Sequence, residues 1–382
     1  MATRERTVAE RMVVLSYRID DSWEVDVLRN DSREMRRALQ LIAPGTELRE
    51  GLERIQRSHT GALVLLGYND EVEALCSGGF TVDIEFSASR LRELAKMDGA
   101  VIIDIDRWVI KQANVQLLPD PSIETTESGM RHRTAQRTAR QTGVPTLSLS
   151  ASMSAISVYV GSLHHTVEEP EALLARANQA VDTLDRYIER LDEVLSSLSI
   201  FEIRDAVTVR DVTTVIQRME MIRRITAEIN GYLDELGADG RLLSLQVDDL
   251  LRGAASERAL VLRDYVRDLD DLEEVEDRLA ALSGESLVDL AKIAALIGAP
   301  VYDPADLDEA VSPRGIRVLA LVPRLPWRVI QEISDRWGTL TELRKLTAED
   351  LQTVEGVGPY RAQMIVEHLQ SQQSLGTAQT SW

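Results

Sequence analysis

Cysteine is almost absent from this 382-residue chain, where Cys76 stands alone. One thiol excludes an internal disulfide framework and any zinc site built on several cysteines. Histidine is scarce as well, and His59, His132, His164, His165 and His368 show no metal-ligand spacing with Cys76. Long apolar runs are missing too: none approaches the roughly 20 residues that cross a bilayer. The first residues, MATRERTVAERM, are charged and lack the apolar stretch of a secretion signal. These absences predict a cytoplasmic chain with no membrane partner. Hydrophobic residues still make up 44% of it, enough for packed cores, and the length favours two or three domains.

Positive charge is also in short supply. The formal net charge of −20 argues against a nucleic-acid partner only until it is divided by region. Residues 1–167 carry 20 basic and 23 acidic side chains, residues 168–311 carry 15 and 33, and residues 312–382 carry 8 and 7. The acidity sits in the middle, which should repel DNA, whereas the last segment is permitted near phosphates.

The first third mixes both hydrophobic periods. Ser32–His59 reads as helical, with a break at Pro44-Gly45 and an N-cap at Thr46. Strands are expected over Ala62–Leu66, Val72–Cys76, Ala100–Ile105, Trp108–Leu118, Thr146–Ser150 and Ile156–Val160, with helices over Ser89–Met97 and Gly129–Gln141. That alternation predicts an α/β domain with a mixed sheet over residues 1–162. Residues 163–311 read as an all-α, elongated acidic spine. Leu174, Ala177, Val181, Leu184, Ile188, Leu191, Leu195 and Leu198 form one apolar stripe, for which core packing is the simplest account. Further helices are expected over Thr208–Leu236, Ser256–Val266, Asp271–Leu282 and Ser286–Ile297. Residues 312–371 form a third, all-α region with short helices over Trp327–Trp337, Thr339–Lys345, Ala348–Val354 and Tyr360–Leu369. Residues 372–382 are expected to be a disordered tail.

Three stretches of the first third could carry chemistry. Ser77-Gly78-Gly79-Phe80 is a turn whose glycines let backbone approach a ligand, although most such pairs are only turns. Asp98-Gly99-Ala100 places a carboxylate where a helix ends and a strand begins; it suits a divalent metal, or it simply stops the helix. Ser128-Gly129-Met130-Arg131-His132-Arg133-Thr134 enters a helix, where guanidinium forks and free N–H groups suit phosphate. The plainer alternative is a solvated basic face continued by Arg137 and Arg140, neutralised by Glu124 and Glu127.

In this order the stretches resemble the diadenylate cyclase domain family, in which a DGA motif precedes an RHR motif by about thirty residues. Asp98 and Arg131 are 33 apart here. The segment from Gln116 to Ile123, the Gln141-Thr142-Gly143 that follows, and Ser150 after the next strand match as well. Further on, Ser312-Pro313-Arg314-Gly315, Ile316–Trp337 with its Pro323-Arg324-Leu325-Pro326, and Thr353–Ala362 resemble the DNA-integrity scanning branch of that family. The last of these is similar to a helix-hairpin-helix, which points backbone N–H groups at a DNA phosphate whatever the sequence; an ordinary helical hairpin is the alternative.

The resemblance implies an enzyme that condenses two ATP into cyclic di-AMP and two pyrophosphates, coupled to sensing of DNA structure. Asp98 would be catalytic and hold Mg²⁺ or Mn²⁺. Gly99 and Leu117 would contact the nucleoside, and Met130, Arg131, His132, Arg133, Thr134 and Ser150 the phosphates. His132 would orient or donate rather than act as general base. Gly356, Val357, Gly358 and Arg361 would meet branched or damaged DNA. Two cyclase domains would face each other within a homo-oligomer, an octamer. Two departures stand out: the family usually has threonine where Met130 stands, and Val366 and His368 replace a basic residue and a glycine. They leave room for a rival reading, a DNA-binding scaffold whose nucleotide domain is inactive or only senses ATP. A purely structural helical bundle would leave the clustered motifs unexplained.

Overall fold

A computed structural model describes residues 23–150 and 155–378. They cluster into two compact units: one holds residues up to Val181 together with Ala227–Gln246, the other Asp182–Thr226 and the residues from Val247 on. The helical middle is thus divided between the two units.

The first unit is built on a sheet of eight strands: β1 (Ala62–Leu66), β2 (Cys76–Ser77), β3 (Phe80–Glu85), β4 (Ala100–Asp104), β5 (Val109–Leu117), β6 (Thr146–Leu149), β7 (Ile156–Val160) and β8 (Leu163–Thr166). Their order is β2-β5-β4-β1-β6-β7-β8, with β3 also paired to β5. Only β1 and β4 pair in parallel; the other pairs are antiparallel, so the sheet is mixed as expected. Alternation along each strand feeds two cores. Val64, Leu66, Val101, Ile103, Val158 and Val160 pack with helices α1 (Trp23–Leu41), α2 (Glu47–Arg57) and α4 (Ala88–Leu94). Leu63, Leu65, Ala100, Ile102 and Tyr159 face the other way, onto α3 (Asp70–Leu75) and α5 (Met130–Thr142). Each fully buried Leu, Ile or Val contributes about 1.5–3 kcal/mol to such a core.

The strand expected over Val72–Cys76 is mostly helix α3. Asn69 caps it by accepting the Val72 N–H at 2.8 Å, a local bond that decides a run too short for its periodicity to settle. Strands β3 and β8 were not foreseen. Thr46 does cap α2, accepting the Arg49 N–H at 3.1 Å.

Two long helices follow, α6 (Pro170–Arg204) and α7 (Val209–Leu236). On α6 the buried stripe runs Leu173, Ala177, Val181, Leu184, Leu191, Leu198, with Leu173 buried in place of the expected Leu174. An unforeseen helix, α8 (Arg241–Leu250), comes next, then α9 (Ala254–Tyr265) and α10 (Leu272–Ala281). The helix expected over Ser286–Ile297 is two, α11 (Gly284–Val288) and α12 (Leu290–Leu296): Asp289 leaves helical geometry and its side chain accepts the Ala291 N–H. The chain ends in α13 (Ile316–Ala320), α14 (Trp327–Trp337), α15 (Leu340–Leu343), α16 (Ala348–Leu351) and α17 (Pro359–Ala378) around one core. Helix α17 continues past Leu369, and residues 379–382 lie outside the described residues. No helix among the described residues is long and apolar enough to cross a membrane.

Candidate active site and nucleic-acid interface

Strand register gathers the motifs of the first third at one edge of the sheet. Parallel β1 and β4 set Leu63 beside Ala100, β6 returns with Leu149 beside Ala62, and β5 sets Val115 beside Ala100. Gly61, Asp98-Gly99, Leu117 and Ser150, each a residue or two beyond those pairs, therefore share that edge. Gly99 has φ +113, and a Cβ on it would fall 2.8 Å from the Asn114 backbone. Only glycine lets the turn carrying Asp98 lie so close to β5.

Helix α5 supplies the cationic part. Its N-cap, Gly129, makes no side-chain capping bond, so the N–H groups of the first turn are not satisfied by a cap. The Arg131 guanidinium lies against Gly61: a Cβ there would fall 2.1 Å from Nη1. Reading the sequence singled out Arg131 but missed Gly61, whose only signal is its place one residue before β1.

The other polar residues of α5 mostly hold the preceding loop. Arg133 Nε donates to the Glu127 carbonyl at 3.3 Å, Arg137 Nε to Ile123 at 2.8 Å and Arg140 Nη1 to Glu124 at 2.6 Å. The basic face is thus stitched to main-chain carbonyls rather than to the Glu124 and Glu127 carboxylates, while Arg133 and Arg140 stay exposed to solvent, as the plainer alternative expected. Thr134 spends its hydroxyl proton on the Met130 carbonyl at 3.0 Å. Met130 itself is 84% exposed. Leu117 is buried in the α5-side core, leaving its backbone to meet a ligand, and the Ser150 N–H donates to Ala155 at 3.1 Å.

His132 is tied down differently. Its Nδ1 lies 2.9 Å from the Tyr159 hydroxyl, which donates to Glu127 at 3.0 Å. The His164 ring stacks on Tyr159, 4.5 Å between centroids and 6° from parallel. Burial holds the His132 pKa below the usual imidazole range, with Glu127 opposing, and burial and Glu127 push the Tyr159 phenol up. Burial, then Glu73, pushes the Cys76 thiol up to about 11, which makes it a poor nucleophile.

Asp98 is exposed, and its Oδ1 accepts the Gly99 N–H at 3.2 Å. Among the described residues no cluster of three or more His, Cys, Asp or Glu could cage a metal. A single open carboxylate beside a phosphate cradle fits a hard cation that takes most of its ligands from substrate and water, as Mg²⁺ does.

In the second unit, α16 and α17 flank the turn Thr353–Gly358. Gly356 has φ +84, Val354 and Val357 are buried, and Arg361 Nη1 clasps the Gly356 carbonyl at 2.6 Å. The same hairpin occurs earlier, between α13 and α14. Val322→Leu319, Leu325→Val322 and Ile330→Pro326 repeat the N–H···O bonds Val354→Leu351, Val357→Val354 and Ala362→Gly358 found 32 residues on. Arg324, with φ +58, takes the place of Gly356. The sequence hid this repeat because Pro323-Arg324-Leu325-Pro326 lacks the glycines that mark the second copy.

Comparisons with known proteins identify the family. Residues 49–163 match the family described as DisA bacterial checkpoint controller nucleotide-binding, and residues 167–304 its linker region. The DNA integrity scanning protein DisA of Kineococcus radiotolerans is 52% identical over 89% of this chain and 96% of its own length. Those of Acidothermus cellulolyticus and Beutenbergia cavernae are 53% and 54% identical, over 89% and 87% of this chain and 94% of each relative. The chain belongs to the DisA family of DNA integrity scanning proteins, and residues 49–163 are its diadenylate cyclase domain.

Proposed function

We propose that the chain condenses two ATP molecules into cyclic di-AMP and two pyrophosphates. In each half-reaction a ribose 3′-oxygen forms a bond to the α-phosphorus of the other ATP, the bond to the β-phosphate bridge breaks, and the 3′-hydroxyl proton leaves. Asp98 would hold the Mg²⁺ or Mn²⁺, which acidifies the hydroxyl and offsets phosphate charge. Gly99 and the Leu117 backbone would meet the nucleoside. Arg131, the open first turn of α5 and Ser150 would bind the triphosphate, while Arg133 holds the loop beneath it. One edge offers one such pocket, so two cyclase domains would face each other, within an octamer; alignment of the two substrates then supplies much of the rate. In the second unit, the Gly356–Gly358 turn would present backbone N–H groups to a phosphate of branched or damaged DNA, and its occupancy would modulate synthesis.

The observation that carries this reading is the convergence of Asp98, Gly99, Leu117, Ser150 and Arg131 on one sheet edge. Incubation of the purified protein with ATP and Mn²⁺ should yield cyclic di-AMP by mass spectrometry. Asp98→Asn should abolish it without altering the fold, and dilution to the monomer should abolish it too. Met130, a thioether where a hydroxyl is usual, favours the rival reading of an inactive or ATP-sensing scaffold. ATP binding without product from the wild-type protein would establish that one instead.

A further inference from the structure

We propose that Tyr159 and Glu127 are positioning residues that fix the tautomer of His132, so that Nε2 is the ring atom His132 presents to the nucleotide. The inference deepens the cyclase reading and rests on it. A carboxylate can only accept, so the proton in the Tyr159–Glu127 bond at 3.0 Å belongs to the phenol. The phenol oxygen then has only lone pairs to offer His132, and the 2.9 Å contact must be Nδ1–H donating to Tyr159.

Three side chains from three elements thus form a chain of one-way bonds: Glu127 in the loop, Tyr159 on β7, His132 on α5. Tyr159 is fully buried and its ring is clamped by His164 on β8, so the acceptor that His132 meets cannot swing away. The groups facing His132 are Tyr159, Glu127, His164 and Arg131. Neutral His132 in this tautomer carries a lone pair at Nε2; only the imidazolium donates there. ATP should therefore be gripped more tightly, with a lower KM, as pH falls through the His132 titration.

Two measurements test this. Nitrogen-15 NMR of the full-length protein without nucleotide should show His132 in the Nδ1–H form at neutral pH. Tyr159→Phe keeps the ring and should release the tautomer, and Glu127→Ala should do the same. Glu127→Gln, whose amide oxygen still accepts from the phenol, should preserve it. In turnover, Tyr159→Phe should lower kcat/KM about fivefold to tenfold through KM, the size of one lost neutral hydrogen bond, with the acid-side gain in affinity moved to lower pH. An Nε2–H tautomer in the wild type, or one unchanged in Tyr159→Phe, overturns the proposal. The NMR result stands whether or not the protein makes cyclic di-AMP, so failure of the cyclase reading would show separately in the product assay.

Discussion

The polar network around His132 in the sheet unit and the one around Glu202 in the helical unit use the same residue types to opposite ends. Glu202 is 4% exposed. It takes both bonds of Arg317 Nη1, at 2.8 and 2.9 Å, and the Tyr265 hydroxyl at 2.8 Å. Arg344 donates to the carbonyls of Glu202 and Ile203 at 3.1 and 3.0 Å. Asp264 caps α13 through the Ile316 and Arg317 N–H groups at 2.6 and 2.9 Å, although burial pushes its pKa up to about 7. Each of these charged side chains bonds a neighbour, although the Arg344 Nε is buried without a partner of its own. At the sheet edge, by contrast, Arg131 rests on a glycine and, among the described residues, pairs with no carboxylate. Arg317, whose charge is compensated, holds the fold together; Arg131, in the proposed reading, is left for the phosphates of the nucleotide.

The largest expected effect breaks the first half of that contrast. Arg317→Ala leaves Glu202 buried without its cation, which should cost about 3–5 kcal/mol in denaturant unfolding. Arg131→Ala should cost under about 1 kcal/mol yet abolish nucleotide binding in calorimetry. Equal losses of stability would erase the distinction between the two arginines.

Gly61→Ala sharpens the second half. The new methyl would overlap the far end of a flexible side chain, so the fold should tolerate it while Arg131 is displaced. ATP KM should rise at least about tenfold, the lower end of the worth of one charge-assisted bond, with the unfolding midpoint nearly unchanged. An unchanged KM would show that Arg131 does not need its seat on Gly61.

How much of this was legible beforehand depended on whether the signal was local. Motif order placed Asp98, Gly99 and the start of α5, and short runs rich in Val, Ile and Leu placed β1, β4, β6 and β7. Long periodic stretches placed the body of α6 without its ends, and α7 to within a residue. What stayed hidden depends on contacts made only in the fold. Gly61 matters because Arg131 lies on it, Tyr159 because two loop and helix residues converge on its hydroxyl, and Arg133, Arg137 and Arg140 because they find carbonyls of the loop. Helix α3 turned on one capping bond from Asn69, and the split at Asp289 on another.

Met130→Thr probes the cradle more gently. Met130 is open to solvent at the first turn of α5, and a hydroxyl there could add one donor to phosphate. The ATP KM should fall, by about tenfold at most given the N–H groups already present, with stability within about 0.5 kcal/mol. An unaltered KM would mean that residue 130 does not touch the nucleotide.

The smallest effect lies away from both networks. His165 on β8 pairs with the buried Glu235 of α7, and this hydrogen bond raises the His165 pKa above 6.5 against the opposing pull of burial. A raised histidine pKa stabilises the folded state fully below the unfolded value of 6.5, and the contribution fades as pH climbs through the folded value. With the His165 side chain 36% exposed, solvent screening limits the gain to about 0.5–1 kcal/mol. The melting-temperature gap between wild type and His165→Gln should accordingly be wider at pH 6 than at pH 9. A gap equal at both pH values would mean that His165 contributes packing alone.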